Sequence, residues 1–483
     1  MAAALERPRP SARFDERAWT TTHDRLLESL RVLIRIPSIN PPDPGVPAAE
    51  LDAARWIAGA LADAGLRPEV VEPVPGRGSV LARLRGDGTG GAPLLLLSHL
   101  DVVPAPPDRW SHDPFAADIA DGHVYGRGAV DMKDLVAMEL EVVRLLAAEA
   151  RAAGRDPASE PVPGLRRDVL FACTADEEAG GQAGVAWLVE HRPETLRAAG
   201  AINESGAVST EVGGRRLYPI QVGEKGYAVY RITIRGTGGH GSTPHADNAA
   251  VLAAEAIRRL AATGQPRVTP LMGAFLVGAA DAVAATDAPV GRLLRALAEG
   301  DERPLDAAAT GGCSPYLVRV IRALTRDTIS PDIVHAGVKY NVIPGEAVLE
   351  IDCRRLPGTS EAEMRHQVVD RLGPELAERS TIELVLTGEG LEAPSDSELF
   401  GVLATAVSAA DPDGVPLPVM APFGTDAKHL VALGVPTYGF SPLRFTPEEG
   451  YLERWHGVDE RVSIEGLRWG LPVLYDAVRR FCG

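Results

Sequence analysis

The sequence predicts an α/β fold: a domain built on a mainly parallel sheet, with a smaller α+β unit of ferredoxin-like order inserted into it. Three features carry that expectation. Two short apolar runs, Pro93–Leu97 and Asp168–Cys173, each give way to polar residues, and a helical stretch lies between them. The middle of the chain reads strand, helix, strand, strand, helix, strand. From about Leu391 the helix-and-strand pattern resumes, as it does when one domain is inserted in another.

Each element has its own signal. Leu26 to Ile36 has helical apolar spacing and stops at Pro37. A Pro/Asn loop, Ser38 to Pro47, precedes a second amphipathic helix over Ala48 to Ala64, which Gly65 is placed to end as a left-handed cap. Continuous apolar runs such as Leu94–Leu97 are what strands buried on both faces look like. A helix over Met132 to Ala152 separates the two runs, and sites in such folds collect at the C-terminal edge of the sheet. In the middle, Tyr227–Arg235 alternates as a strand and Asn248–Ala262 is an Ala-rich helix. Ile333–Tyr340 and Ala347–Cys353 follow as strands, then a helix over Ser360–Leu372 with Ser360 as N-cap, and a strand over Thr381–Leu386. Thr263 to Ser330 is an insertion inside this unit, with helical stretches near Arg292–Ala298 and Tyr316–Leu324. The division is then 1–218 with 391–483 for the first domain and 219–390 for the inserted one.

At 483 residues the chain is long enough for more than one domain and for cores that need no disulfide staples. Acidic residues outnumber basic ones 66 to 49, a net charge of −17, which argues against nucleic acid or an anionic membrane as partner. Cys173, Cys313, Cys353 and Cys482 lie far apart with no CxxC pair, so reduced thiols are expected rather than a thiolate metal site or a disulfide framework. The apolar stretch within Met1–Pro10 is too short for a signal-peptide core, and Val268–Ala280 is too short to span a bilayer. The expectation is a soluble, cytoplasmic protein.

Chemistry-bearing residues cluster after the predicted strands. His99-Leu-Asp101 ends one of them, and in an extended chain Asp101 points the same way as His99. A carboxylate beside an imidazole fixes its tautomer and raises its basicity, as behind a metal-bound histidine; an ordinary His–Asp hydrogen bond accounts for the pair equally well. Tyr125-Gly-Arg-Gly128 allows a tight backbone path before Asp131, whose plainer reading is a helix N-cap. Asp176-Glu177-Glu178 sets three adjacent carboxylates at a strand end, either as a solvated acidic turn or as a set compensated by a cation. Glu204 follows another apolar segment, and His456 supplies a late imidazole.

Eight segments in chain order resemble the co-catalytic zinc hydrolases of peptidase family M20: SHLDVVP (98–104), YGRGAVDMK (125–133), TADEEAGG (174–181), NESGA (203–207), GGHGSTPH (238–245), NVIPGEAVLEIDCR (341–354), FGTDA (423–427) and WHGVDE (455–460). That family includes aminoacylases, succinyl-diaminopimelate desuccinylases and glutamate carboxypeptidases. The DRWSHDPF segment (108–115) and the long insertion lean towards the carboxypeptidase S and N-fatty-acyl-amino-acid hydrolase branch.

The resemblance implies a zinc-hydrolase catalytic domain with a lid that also dimerises. It implies two Zn²⁺, with Co²⁺ or Mn²⁺ as substitutes. Asp131 would bridge the ions, His99 and Glu204 would complete one site, and Glu178 and His456 the other. Asp101 would orient His99, and Glu177 would be the general base. A cis peptide is implied at Asp131–Met132. His240 would hydrogen-bond the developing oxyanion, in dimeric members from the partner subunit. Asn341 and Arg354 would grip a free α-carboxylate, and Gly424 and Thr425 would contact substrate. The residue chemistry agrees: three carboxylates and two imidazoles suit zinc, cobalt or manganese, and the carboxylates nearly balance two dications. The function implied is hydrolysis of an amide next to a free carboxylate, in a small peptide or an N-acyl amino acid. Dipeptidase or carboxypeptidase action is the alternative to deacylation. A non-catalytic binding protein and a dinuclear phosphoesterase are the rivals from other classes.

Overall fold

The structure, a computed structural model, describes residues 16–40, 48–305, 315–446, 449 and 454–483. Met1–Pro10, residues 41–47 of the loop and Cys313 lie outside them. The other three cysteines are free and buried.

The large sheet is organised by Leu94–His99, which pairs in parallel with Val169–Thr174 on one side and Gly200–Asn203 on the other. Its leucines are all buried, but on opposite faces. Leu94 and Leu96 pack into a core with the helices Glu16–Arg35, Lys133–Ala152 and Ile464–Cys482, and Leu95 and Leu97 into a second core with Val185–His191. Two buried faces are why the run shows no alternation. Thr437–Gly439 continues the parallel set beside Gly200–Asn203. Antiparallel pairings extend both flanks: Glu69–Val74 and Arg77–Leu84 on one, and Arg215–Glu224 on the other, where Val415–Ala421 then joins it in parallel. Gly65, at φ 87°, closes the helix Glu50–Asp63 as expected.

The chain between runs through a separate four-stranded antiparallel sheet. Its spatial order is Thr328–Ala336, Glu346–Arg355, Gly226–Arg235, Ser380–Gly388, which is the ferredoxin-like arrangement. The helices Ala249–Leu260 and Glu361–Glu378 cover one face, around Tyr230, Ile232, Leu349, Ile351 and Met364. Ser360 caps the second helix with Glu363 in a full capping box.

Two expectations need correction here. The strand expected over Ile333–Tyr340 lies earlier, at Thr328–Ala336. It is an edge strand, which tolerates Pro331 at an irregularity in the pairing, and Gly337 (φ 74°) follows it. The insertion contains a helix that the pattern did not announce, Pro270–Val283, capped by Thr269. This helix packs on Val415–Ala421 and Arg215–Glu224 of the large sheet, sharing a core with Leu217, not on the small sheet. Among the described residues no helix is long and apolar enough to cross a membrane.

Candidate metal centre

Three parallel strands deliver the site. His99 ends the first, Thr174 lies opposite it in register and leads into Asp176–Glu178, and Asn203 ends the third just before Glu204. Asp176 takes a left-handed conformation (φ 75°), one that aspartate tolerates better than most residues, and so turns the chain sharply after its strand. A small sheet pairs Tyr125 with Arg461 and sets the glycine-rich turn beside the His456 loop. Gly128 (φ 88°) has no room for a side chain: a Cβ would stand 2.9 Å from Val102 Cγ1. Glu460, fully buried, accepts from Arg127 at 2.6 Å and from the Val130 amide at 2.9 Å, which pins the backbone before Asp131. The Asp131–Met132 peptide is cis.

The five residues expected as ligands converge. Asp131 turns Oδ1 to His99 Nε2 at 3.3 Å and Oδ2 to His456 Nε2 at 3.1 Å. Glu204 Oε2 stands 3.6 Å from His99 Nε2, and Glu178 Oε1 3.4 Å from His456 Nε2. His99, Asp131 and Glu204 thus form one group compact enough for a metal ion, and Asp131, Glu178 and His456 a second. Behind them, His99 Nδ1 lies 3.1 Å from the Asp101 carbonyl and 3.4 Å from its carboxylate. A carbonyl only accepts, so Nδ1 carries a proton towards Asp101, an arrangement that would leave the Nε2 lone pair for a bound ion. Asp101 is fixed in turn by Asn40 and by the amides of Glu177 and Glu178.

The electrostatics show what the cluster lacks. Burial pushes Glu204 well above the usual carboxyl range, and burial together with Asp131 raises Glu178 to about 7. Hydrogen bonds to Asp131 and Glu178 raise His456 to about 10. Burial pulls His99 down, yet Glu204, Asp101 and Asp131 outweigh it and hold the imidazole well above its ordinary value. Burial also opposes ionisation of Asp131, but the two imidazoles keep it below its usual range. These groups compete for protons, and His99 Nε2 and Glu178 Oε1 are buried with no hydrogen-bond partner. Divalent cations would satisfy both atoms and the surplus negative charge, so the residues fit a metal pair.

Glu177 projects beside this cluster, with Oε1 3.5 Å from Lys428 Nζ. Burial raises its carboxyl, against the pull of His99 and Lys428. The lid candidates lie apart from these residues. His240 is exposed on Gly239–His240, paired with Val342–Ile343, and its Nδ1 contacts Ser242 Oγ at 2.7 Å. Asn341 accepts the Gly241 amide on its carbonyl, while its side-chain Oδ1 is buried without a partner. Arg354 is held bidentate by Asp352 and lies over the Tyr227 ring. No hydrogen bond or ion pair among the described residues joins these three to the five clustered side chains. Thr425 is buried, with its amide and hydroxyl on Glu224 and its hydroxyl also accepting from Asn203, so in this conformation Gly424 is the freer part of that loop.

Residues 95–480 of the chain match Peptidase family M20/M25/M40. The chain belongs to that family. It is 27% identical over 458 residues to the N-fatty-acyl-amino acid synthase/hydrolase PM20D1 of Xenopus tropicalis, covering 92% of this chain and 83% of that one. It is 29% identical over 446 residues to the aminoacylase-1 of Sus scrofa, covering 90% and 91%. Among solved structures it resembles the M20 family metallo-carboxypeptidase Sso-CP2 from Sulfolobus solfataricus, with a TM-score of 0.67 at 18% identity, covering 95% of this chain and 99% of that one. As an M20 member the chain is a metal-dependent hydrolase with an α/β catalytic architecture.

Sequence reasoning missed several supporting groups around this M20 site. Asn40, Arg77 and Glu50 stand behind Asp101. Glu224 organises the Thr425 loop, and Lys428 faces Glu177. Glu460 and Lys428 sit inside or just beyond quoted motifs, so their positions were the available signal. Asn40 and Arg77 carry none, since their roles arise from contacts between distant segments.

Proposed function

We propose that this chain is a dinuclear zinc amidohydrolase that cleaves the amide bond next to a free carboxylate in a small peptide or an N-acyl amino acid. The observation that carries this is the two-sided placement of Asp131. Each of its oxygens faces a different imidazole, and one further carboxylate completes each half. His99, Asp131 and Glu204 would hold one ion and Asp131, Glu178 and His456 the other. Such a pair supplies Lewis acidity towards the amide carbonyl and lowers the pKa of water.

Glu177 takes the proton of the attacking water and passes it to the leaving nitrogen. Burial raises its pKa above that of an ordinary carboxylate, which makes it a stronger base. His240, of this chain or of a second copy in a homodimer, donates to the oxyanion. Arg354 grips the carboxylate in bidentate fashion with Asn341 beside it, once it has left Asp352. Closure of the small-sheet unit over the cleft brings these groups in and excludes water. Gly424 and Thr425 line the substrate side, and the enzyme works in the cytoplasm. The names of the PM20D1 and aminoacylase-1 relatives support deacylation over dipeptide cleavage.

The test is Glu177→Gln in zinc-loaded protein. It keeps its metal by elemental analysis and loses about 10²–10⁴-fold in turnover. An active Glu177→Gln enzyme would overturn the assignment. Competing N-acyl amino acids against dipeptides in one assay separates the two bond choices.

A further inference from the structure

Among the described residues the chain passes between the catalytic sheet and the small sheet four times, at 224–226, 260–270, 324–328 and 388–391. One domain inserted in another needs only an entry and an exit. The extra passages exist because the insertion leaves the small-sheet unit and packs on the large sheet. Leu271, Met272 and Leu324 are buried in the large core, and the helix Pro270–Val283 lies on Val415–Ala421.

Hydrogen bonds gather these passages into one neck. Lys225, buried in the first, donates Nζ to the carbonyls of Ala323 at 2.9 Å and Arg326 at 2.8 Å in the third. Those carbonyls lie at the end of the helix Pro315–Leu324, where the backbone dipoles favour a cation. The Arg267 amide joins the second passage to the third through the Thr325 carbonyl, at 2.6 Å. The first and fourth run antiparallel, with Glu224 opposite Leu391, and a Cβ on Gly226 would stand 2.6 Å from Gly390 N. Buried Arg355 clasps the fourth, donating to the Gly388 carbonyl at 2.8 Å and the Glu389 carboxylate at 3.0 Å. Within the third passage the attachment changes from one residue to the next. Arg326 is held by Lys225 and pairs with Glu302 of the insertion, whereas Asp327 accepts from Gln367 of the helix Glu361–Glu378 at 2.8 Å.

Neighbouring residues of an extended chain point to opposite faces. Lys225 takes the insertion, and Glu224 takes the amide and hydroxyl of Thr425, whose hydroxyl also meets Asn203, next to Glu204. We infer that Lys225 is the pivot on which the small-sheet unit turns, and that the insertion is the fixed bracket that seats this pivot on the catalytic sheet. Without the ammonium, the passage at 324–328 parts from that at 224–226 and the unit wanders. This deepens the amidohydrolase reading and rests on it for the use of the turn, which is to carry Asn341 and Arg354 to the metals. The pivot itself stands on the contacts alone.

Paired spin labels on the full chain read the motion, in a Cys313→Ser background because the other three cysteines are buried. Labels at Glu190→Cys and Arg365→Cys span the catalytic domain and the small-sheet unit. Labels at Glu190→Cys and Arg292→Cys span the catalytic domain and the insertion, and all three positions are exposed. Lys225→Met should widen the first distance distribution about twofold and leave the second unchanged. Asp327→Ala, which cuts the same passage from the small-sheet side, does likewise and serves if the methionine variant does not fold. An unchanged first distribution in a folded variant overturns the inference, even where Tm falls, since that is a packing role. A second distribution that widens with the first overturns the bracket. Turnover of N-acetyl-phenylalanine by the zinc-loaded protein is measured alongside. In Lys225→Met, kcat/KM falls by on the order of 10²-fold at unchanged zinc content, the loss that a misplacement of about 1 Å brings. An unchanged kcat/KM overturns the catalytic use of the turn. If the wild type cleaves no acyl amino acid or dipeptide, the amidohydrolase reading has failed, and the two distances decide the pivot alone.

Discussion

Asn40 donates its side-chain amide to Asp101 Oδ2 at 2.8 Å, and Arg77 donates to Asn40 Oδ1 at 2.7 Å. Buried Glu50 pairs with Arg77. The carboxylate beside His99 Nδ1 is thus held from behind by a chain of three residues that touch no proposed ligand. Asn40→Ala leaves Asp101 Oδ2 with the Glu178 amide alone and loosens the imidazole. The expected outcome is a 10–100-fold loss of metal affinity, the usual effect of removing such support. Titration against a competing chelator measures it. Unchanged affinity with a lowered Tm would reduce Asn40 to a packing role.

Lys428 opposes the burial that raises Glu177, and it stands 3.5 Å from that carboxylate. In Lys428→Gln the counter-charge is gone and the Glu177 pKa rises further. A base must be deprotonated to act, so the acidic limb of the kcat/KM profile moves to higher pH while the rate well above that limb falls less. A profile that keeps its acidic limb would show that Lys428 does not set the charge on Glu177.

What the sequence made legible, and what it hid, follows from locality. Leu94–Leu97 was readable as a buried strand because both its faces are covered, and His99, Asp131, Glu178, Glu204 and His456 could be picked out because each sits in a short motif. The helix Pro270–Val283 hid because it is apolar nearly all round: sheet on one side and helix Ala288–Ala298 on another leave little polar stripe to give a period. Glu224 hid for a different reason. It gains meaning only where Thr425, 201 residues later, folds onto it. The edge strand was misplaced because Ile333, Val338 and Tyr340 look like core residues, whereas Val338 and Tyr340 are over 90% exposed.

Glu139 gives the stability a pH dependence away from the cleft rim. It is fully buried on the helix Lys133–Ala152, accepts from Ser98 Oγ at 2.8 Å, and leaves Oε1 unpartnered. Burial raises its carboxyl from 4.5 to about 8. The unfolded chain loses this proton near pH 4.5 and the folded one holds it to about 8. The contribution is therefore whole below 4.5, declines as pH rises through that window, and is gone above 8. Glu139→Gln carries no such proton. Its stability relative to wild type should climb by several kcal/mol between pH 5 and pH 8.5, read from urea unfolding at each pH. Two parallel stability curves would show that Glu139 is already ionised in the fold.

Asp131 belongs to both metal groups, whereas Glu204 and Glu178 each belong to one. That asymmetry predicts stoichiometry. Wild type should bind two divalent ions, Glu204→Gln and Glu178→Gln one each with tight affinity, and Asp131→Ala should weaken both together. Stability follows by linkage: a ligand at 100 times its Kd adds about 2.7 kcal/mol, so chelation lowers the wild-type Tm and zinc restores it. The sign reverses for the metal-free protein. Glu204 is buried beside Asp131 and Glu177, and burial already pushes it far above the carboxyl range. Neutral glutamine replaces a carboxyl that the metal-free fold can accommodate only with a proton on it. Metal-free Glu204→Gln should therefore melt above metal-free wild type, and zinc-loaded Glu204→Gln below zinc-loaded wild type. Calorimetry on the four samples tests this crossing. A variant that melts lower in both states would mean that Glu204 serves the fold and not a cation.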